Sequence, residues 1–92
     1  MVVIVIDNAP AKLRGTLTRW LLETKPGVFV GKVSAMVREK LWEKVCEDRR
    51  QTGALMLYSA DTEQGFRIEM IGDPKRAVTD IDGIQLIKTQ KI

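Results

Sequence analysis

The chain has 92 residues and a net charge of +3, from 15 basic and 12 acidic residues. That length makes one domain with no room for a second core, and 45% hydrophobic with 29% charged residues excludes a disordered chain. There is no histidine and a single cysteine, which removes His-based triads, His metal ligands, intrachain disulfides and zinc knuckles.

Val2 to Ile6 is a continuous apolar, β-branched run, the pattern of a central strand covered on both faces. It is too short for a signal sequence or a membrane span, so a cytoplasmic location and no membrane partner are expected. Asp7-Asn8-Ala9-Pro10 breaks the strand. Asn8 can cap a helix, and Pro10 suits a first helical turn. A first helix is predicted from about Pro10 to Thr24, with Leu13, Leu17, Trp20 and Leu21 as its apolar stripe. Lys12, Arg19 and Glu23 fall on the opposite side, and Arg14 flanks the stripe. Lys25-Pro26-Gly27 ends the helix and leads into a short strand, Val28 to Val30.

Ser34 is a good N-cap for a second helix, predicted to run to about Gln51, with Val37, Leu41, Trp42 and Val45 buried. Cys46 falls in the same apolar pattern and reads as a small buried hydrophobe rather than a nucleophile. Ala54 to Ala60 is a third strand, apolar on both faces. The turn from Asp61 to Gly65 leads into Phe66 to Ile71, with Phe66, Ile68 and Met70 on one face and Arg67 and Glu69 on the other. Ile84 to Lys88 reads as a last short strand. The order is β-α-β-α-β-β-β in a single α/β (α+β) domain, residues 1–92, of which 78–92 form a tail.

Two helices can shield only one face of such a sheet. The first and third strands are nonetheless apolar on both faces, so the second face needs another cover. A second copy is the simplest, which predicts a homodimer packed through its sheets.

Three groups of residues could carry chemistry. Asp7 ends a central strand, where functional residues are often placed on a rigid scaffold beside an open loop. Without histidine, hydrolysis would need a metal-activated water, with Mg²⁺ held by carboxylates. One carboxylate is a poor site, but a dimer axis near Asp7 would supply two. The plainer alternative is an acid that caps or solvates a strand end. Lys12, Arg14 and Arg19 make the first helix basic, and Lys75-Arg76 follows a proline turn. Together they could track a phosphate backbone, or form an ordinary solvated face among Glu23, Glu39 and Glu43. No aromatic residues interleave with these bases, which leaves base stacking on a single strand unsupported.

These residues also resemble a known family. Asn8-Ala9-Pro10-Ala11-Lys12-Leu13-Arg14-Gly15, Trp20-Leu21-Leu22-Glu23, Gly27-Val28-Phe29-Val30-Gly31-Lys32-Val33-Ser34, Val37-Arg38-Glu39 and Leu41-Trp42-Glu43 occur in one order. Thr62-Glu63-Gln64-Gly65-Phe66 and Asp80-Ile81-Asp82-Gly83 continue it. The pattern resembles the second of the two universal CRISPR-associated adaptation proteins (the "Cas-two" family), in its type I-E branch, over nearly the whole chain.

The resemblance implies a ferredoxin-like sandwich and a homodimer that takes part in CRISPR spacer acquisition. It implies that the dimer bridges dimers of the integrase subunit ("Cas-one") and holds double-stranded DNA. Lys12, Arg14, Lys75 and Arg76 would contact its phosphates, with Arg38 as a further candidate. Lys75 stands where an arginine is expected, which keeps the charge but loses the bidentate fork. The tail strand, through Ile84, Leu86 and Ile87, would dock on a neighbouring subunit or on the integrase. The resemblance further implies an endonuclease for RNA or DNA, with Asp7 as catalytic and metal-holding acid and Mg²⁺ as cofactor. Nuclease-active members carry tyrosine immediately before this acid, where the present chain has Ile6.

Overall fold

The computed structural model describes residues 1–48, 50, 53–60 and 65–72. Its elements, in chain order, are β1 (Val2–Asp7), α1 (Ala11–Leu17), β2 (Leu22–Lys25), β3 (Val28–Gly31), α2 (Ala35–Glu47), β4 (Gly53–Ser59) and β5 (Phe66–Gly72). They form one five-stranded sheet in the order β2-β3-β1-β4-β5, with every pairing antiparallel. Through β4 this is the β-α-β-β-α-β path of a ferredoxin-like fold, and β5 extends the sheet beyond β4. The strand expected at Ile84 to Lys88 lies outside the described residues.

One strand more than expected lies between the helices, because the first helix is half its predicted length. Gly15 weakens the helix backbone. The Thr16 hydroxyl donates to the Lys12 carbonyl at 3.2 Å, and the Thr18 hydroxyl donates to that of Arg14 at 2.9 Å. Such back-bonding competes with helix continuation. Leu22 to Lys25 instead forms a hairpin with β3 across Pro26-Gly27, where Gly27 has φ +83°. Proline followed by a positive-φ glycine is the pattern of a type II turn. A Cβ on Gly27 would lie 2.6 Å from the Ile6 carbonyl oxygen, so the turn packs directly on the backbone of β1. Trp20, expected in the core, falls beyond the helix end and is 54% exposed. Asn8 is not the cap either: it takes φ +57°, and Pro10 occupies the N-cap position without a side-chain cap bond.

The second helix follows its reading more closely. The Ser34 hydroxyl accepts the Val37 N–H at 3.2 Å, and Leu41, Trp42 and Val45 are buried. It stops four residues earlier than predicted, because Asp48 turns its carboxylate onto the Arg50 N–H at 3.0 Å. Cys46 is exposed, against expectation. Partial burial of its sulfur, with the carboxylates of Glu69 and Glu47, pushes its thiol up and keeps it protonated at neutral pH.

The two faces of the sheet are both apolar. Val2, Ile4, Ile6, Phe29, Ala54 and Met56 pack against Leu13 and Leu17 of α1 and Leu41, Trp42 and Val45 of α2. Val5, Val28 and Leu55 form a second cluster, joined by Val3, Val30 and Leu57, with no helical residue among its described members. The register extends that helix-free face to both edges. Ile68 and Met70 stand opposite Leu57 and Leu55, and Leu22 stands opposite Val30. These edge residues are open: Leu22 is 70%, Met70 56% and Ile68 42% exposed. Among the described residues, no helix is long and apolar enough to cross a membrane.

Candidate nucleic-acid interface

Asp7 is the last residue of β1, paired with Gly53 of β4 and buried. Side chains alternate along a strand, so Asp7 shares the helix-free face with Val3 and Val5. Among the described residues, no three acids or cysteines lie close enough to hold a metal ion. A divalent cation of this class takes several oxygen ligands. One chain's described residues therefore do not fit a Mg²⁺ site, and further ligands would have to come from outside them.

α1 has only seven residues, so its cations matter more than its terminus. Lys12 is exposed and lines a groove of about 480 Å³ between α1 and the end of α2. Leu13, Thr16, Lys44, Glu47, Asp48 and Arg50 complete its walls. The groove is of mixed charge. Arg50 is committed to Asp48 through Nη2–Oδ2 at 3.0 Å and Nε–Oδ1 at 3.2 Å. Those bonds, reinforced by the positive charge of Lys12, hold the Asp48 carboxyl below its ordinary range.

Arg14 lies on α1 beside the β2–β3 hairpin. Its Nη2 donates to Glu23 Oε2 at 2.9 Å, and the same oxygen accepts the Gly27 N–H at 2.9 Å. The Gly27 N–H, with help from Arg14 and against partial burial, holds the Glu23 carboxyl below the ordinary value of 4.5. The Gly27 carbonyl in turn accepts the Ile6 N–H at 2.9 Å. A bonded path thus runs from the end of β1 through the turn and Glu23 to Arg14.

Arg38 is placed differently. Its guanidinium carbon lies 3.9 Å from the centre of the Tyr58 ring, a stacked cation–π contact. Its Nη2 donates to Glu39 at 3.1 Å, and its side chain is only 19% exposed. Its buried Nε–H has no hydrogen-bond partner among the described residues. Tyr58 donates to Glu69 at 3.1 Å; burial first, then that carboxylate, pushes its phenol up. Arg38 is six residues, about 9 Å of helix, from the groove residue Lys44. Lys12 and Arg14 therefore share α1, while Arg38 packs near the other end of α2 against β4.

Lys75, Arg76, Ile84, Leu86 and Ile87 lie outside the described residues. Glu23 joins the site although its sequence position placed it on the far side of a longer helix. Its signal was present in Pro26-Gly27, which closes a hairpin that carries Glu23 away from α1's surface and back toward Arg14. A family model described as CRISPR-associated protein (Cas_Cas2CT1978) matches residues 1–86 of the chain.

Proposed function

Since the chain belongs to this CRISPR-associated Cas2 family, we propose that it is the scaffold subunit of spacer acquisition. In this reading it works as a homodimer that binds duplex DNA through the phosphate backbone and bridges dimers of the integrase subunit. The family match over residues 1–86 carries the proposal.

Two features of the fold support it. The helix-free face runs apolar from Leu22 at one edge to Met70 at the other. Exposed apolar surface of that extent marks an interface, and a second copy offers the same face in self-complementary form. Lys12 and Arg14 place two cations on one short helix for phosphates, and Lys75 and Arg76 add two in the sequence. Phosphate contacts set register and affinity without reading bases, so little sequence preference is expected.

The test is in vitro integration of a short duplex with the cognate integrase, alongside binding measured across a salt series. Replacing Lys12, Arg14, Lys75 and Arg76 together should abolish integration. It should also lower the salt slope by about 0.9 for each phosphate that is no longer neutralised. Unchanged binding in that variant would remove the basic residues from the reading.

A second reading is a Mg²⁺-dependent endonuclease of RNA or DNA. Asp7 favours it by sharing the face proposed for dimer contact, so a second copy could bring a second carboxylate near. It predicts cleavage that EDTA and Asp7→Ala both abolish. Integration that survives Asp7→Ala would separate the scaffold from any such chemistry.

A further inference from the structure

Glu23 poses a question for the DNA reading. Electrostatics alone counts it as a fault, since its carboxylate neutralises Arg14 where a phosphate should be drawn in. Its geometry points the other way. One oxygen, Oε2, accepts both the Arg14 Nη2 and the Gly27 N–H at 2.9 Å. Gly27 is itself immobilised, because its carbonyl bonds Ile6 of β1 and no side chain fits at its position. Glu23 is therefore held by the sheet, and Arg14 is held by Glu23.

That leaves most of the Arg14 fork unused. A guanidinium has five N–H donors. Among the described residues only one Arg14 side-chain bond forms, to Glu23, and the side chain stays 43% exposed. An arginine fixed at one terminal nitrogen and open elsewhere can meet a phosphate with two parallel N–H groups. Lys12 is exposed and offers a point charge on a flexible stem instead.

We infer that Glu23 is a positioning residue, which fixes the Arg14 guanidinium so that its free edge meets a DNA phosphate. The inference rests on the reading of Arg14 as a phosphate contact. Ordering a long side chain before binding removes a cost that binding would otherwise carry. Glu23 offsets part of the charge of Arg14 but removes that ordering cost, and the second effect is the larger.

Two conservative variants separate reach from charge. Glu23→Gln keeps an oxygen at the same reach and removes the charge. Glu23→Asp keeps the charge and shortens the arm by one methylene, so both bonds cannot be kept. Affinity for a short mixed-sequence duplex is measured by fluorescence anisotropy at fixed salt. Each variant is also made in an Arg14→Ala background, with circular dichroism to verify folding. Glu23→Asp should weaken binding about three- to tenfold, the cost of re-ordering one long side chain, while Glu23→Gln stays within about twofold of wild type. Neither should have an effect once Arg14 is alanine.

If charge alone matters, the pattern inverts: Glu23→Gln binds more tightly and Glu23→Asp binds as wild type. That result overturns the inference. So does a Glu23→Asp loss that persists without Arg14, which would place its effect in the hairpin, and so does a Glu23→Gln loss equal to that of Glu23→Asp. Wild-type affinity in Arg14→Ala alone removes the phosphate contact itself, and the positioning role falls with it.

Discussion

On one face of the sheet, Ile4, Phe29 and Met56 are fully buried beneath α1 and α2. On the other, Val5, Val28 and Leu55 are as well buried at the centre, but Leu22, Ile68 and Met70 near the edges stand open. The residue types hardly differ. Apolar character says that a side chain belongs in contact with something. It does not say whether the cover is the chain's own helix or another molecule. The covered face is the chain's folding core, and the open edge residues of the other face are where the proposed dimer would gain its contacts.

The strongest way to test that division is to damage each face in turn. Phe29→Ala, on the covered face, should cost about 3–5 kcal/mol in urea unfolding, through reduced burial and the cavity left behind. A small domain has little more than that to lose, so this variant should be largely unfolded at any concentration. Ile68→Lys with Met70→Lys, on the helix-free face, should shift folding stability of the single chain by only about 0.5 kcal/mol each, since both positions are exposed. Sedimentation should nonetheless show a dimer for wild type and a monomer for this variant. A variant that remains dimeric would move the interface elsewhere.

The two arginines sharpen the same contrast on a smaller scale. Arg38 is stacked on Tyr58 and pinned to Glu39, whereas Arg14 is pinned at one end and open at the other. Arg38→Ala should lower stability by about 1–2 kcal/mol, the worth of a cation–π contact largely shielded from water. It should leave the salt slope of DNA binding unchanged. A slope that falls by about 0.9 would restore Arg38 as a phosphate contact.

The smallest effect is a pH dependence. The folded-state value for Glu23 lies below the ordinary 4.5, so the unfolded chain binds its proton first. The stabilisation is fully present above the unfolded value and is lost as pH falls through the folded one. Wild type should therefore lose stability more steeply than Glu23→Gln below about pH 4.5. The difference should stay under about 1 kcal/mol, because the ion pair with Arg14 is partly exposed and screened by water. Equal acid slopes would show that the bonds from Gly27 and Arg14 to the Glu23 carboxylate contribute nothing measurable to folding.

Much of this was legible residue by residue. Leu41, Trp42 and Val45 followed from helical spacing behind a Ser34 cap. The two-sided apolar character of β1 and β4 matched the apolar cluster found on each face of the sheet. The Cas-two resemblance agreed with the family match. Trp20 marks where spacing stops being informative. Its separation from Leu13 and Leu17 is helical, but Gly15 and the back-bonded Thr16 and Thr18 end the helix before reaching it. Periodicity reports which face a residue would take in a helix that exists; local backbone competition decides whether it does.

The chain's order of residues determined the apolar strands, the second helix, the absence of histidine chemistry and the cations Lys12 and Arg14. All of these are local properties of composition and spacing. The tertiary structure alone decided that Glu23 meets Arg14, that Arg38 is drawn onto Tyr58, and that Asp7 shares a face with Val3 and Val5. The first two pairings join residues well separated along the chain, and the third depends on strand alternation. They arise only once the Pro26-Gly27 turn and the sheet register bring distant backbone together.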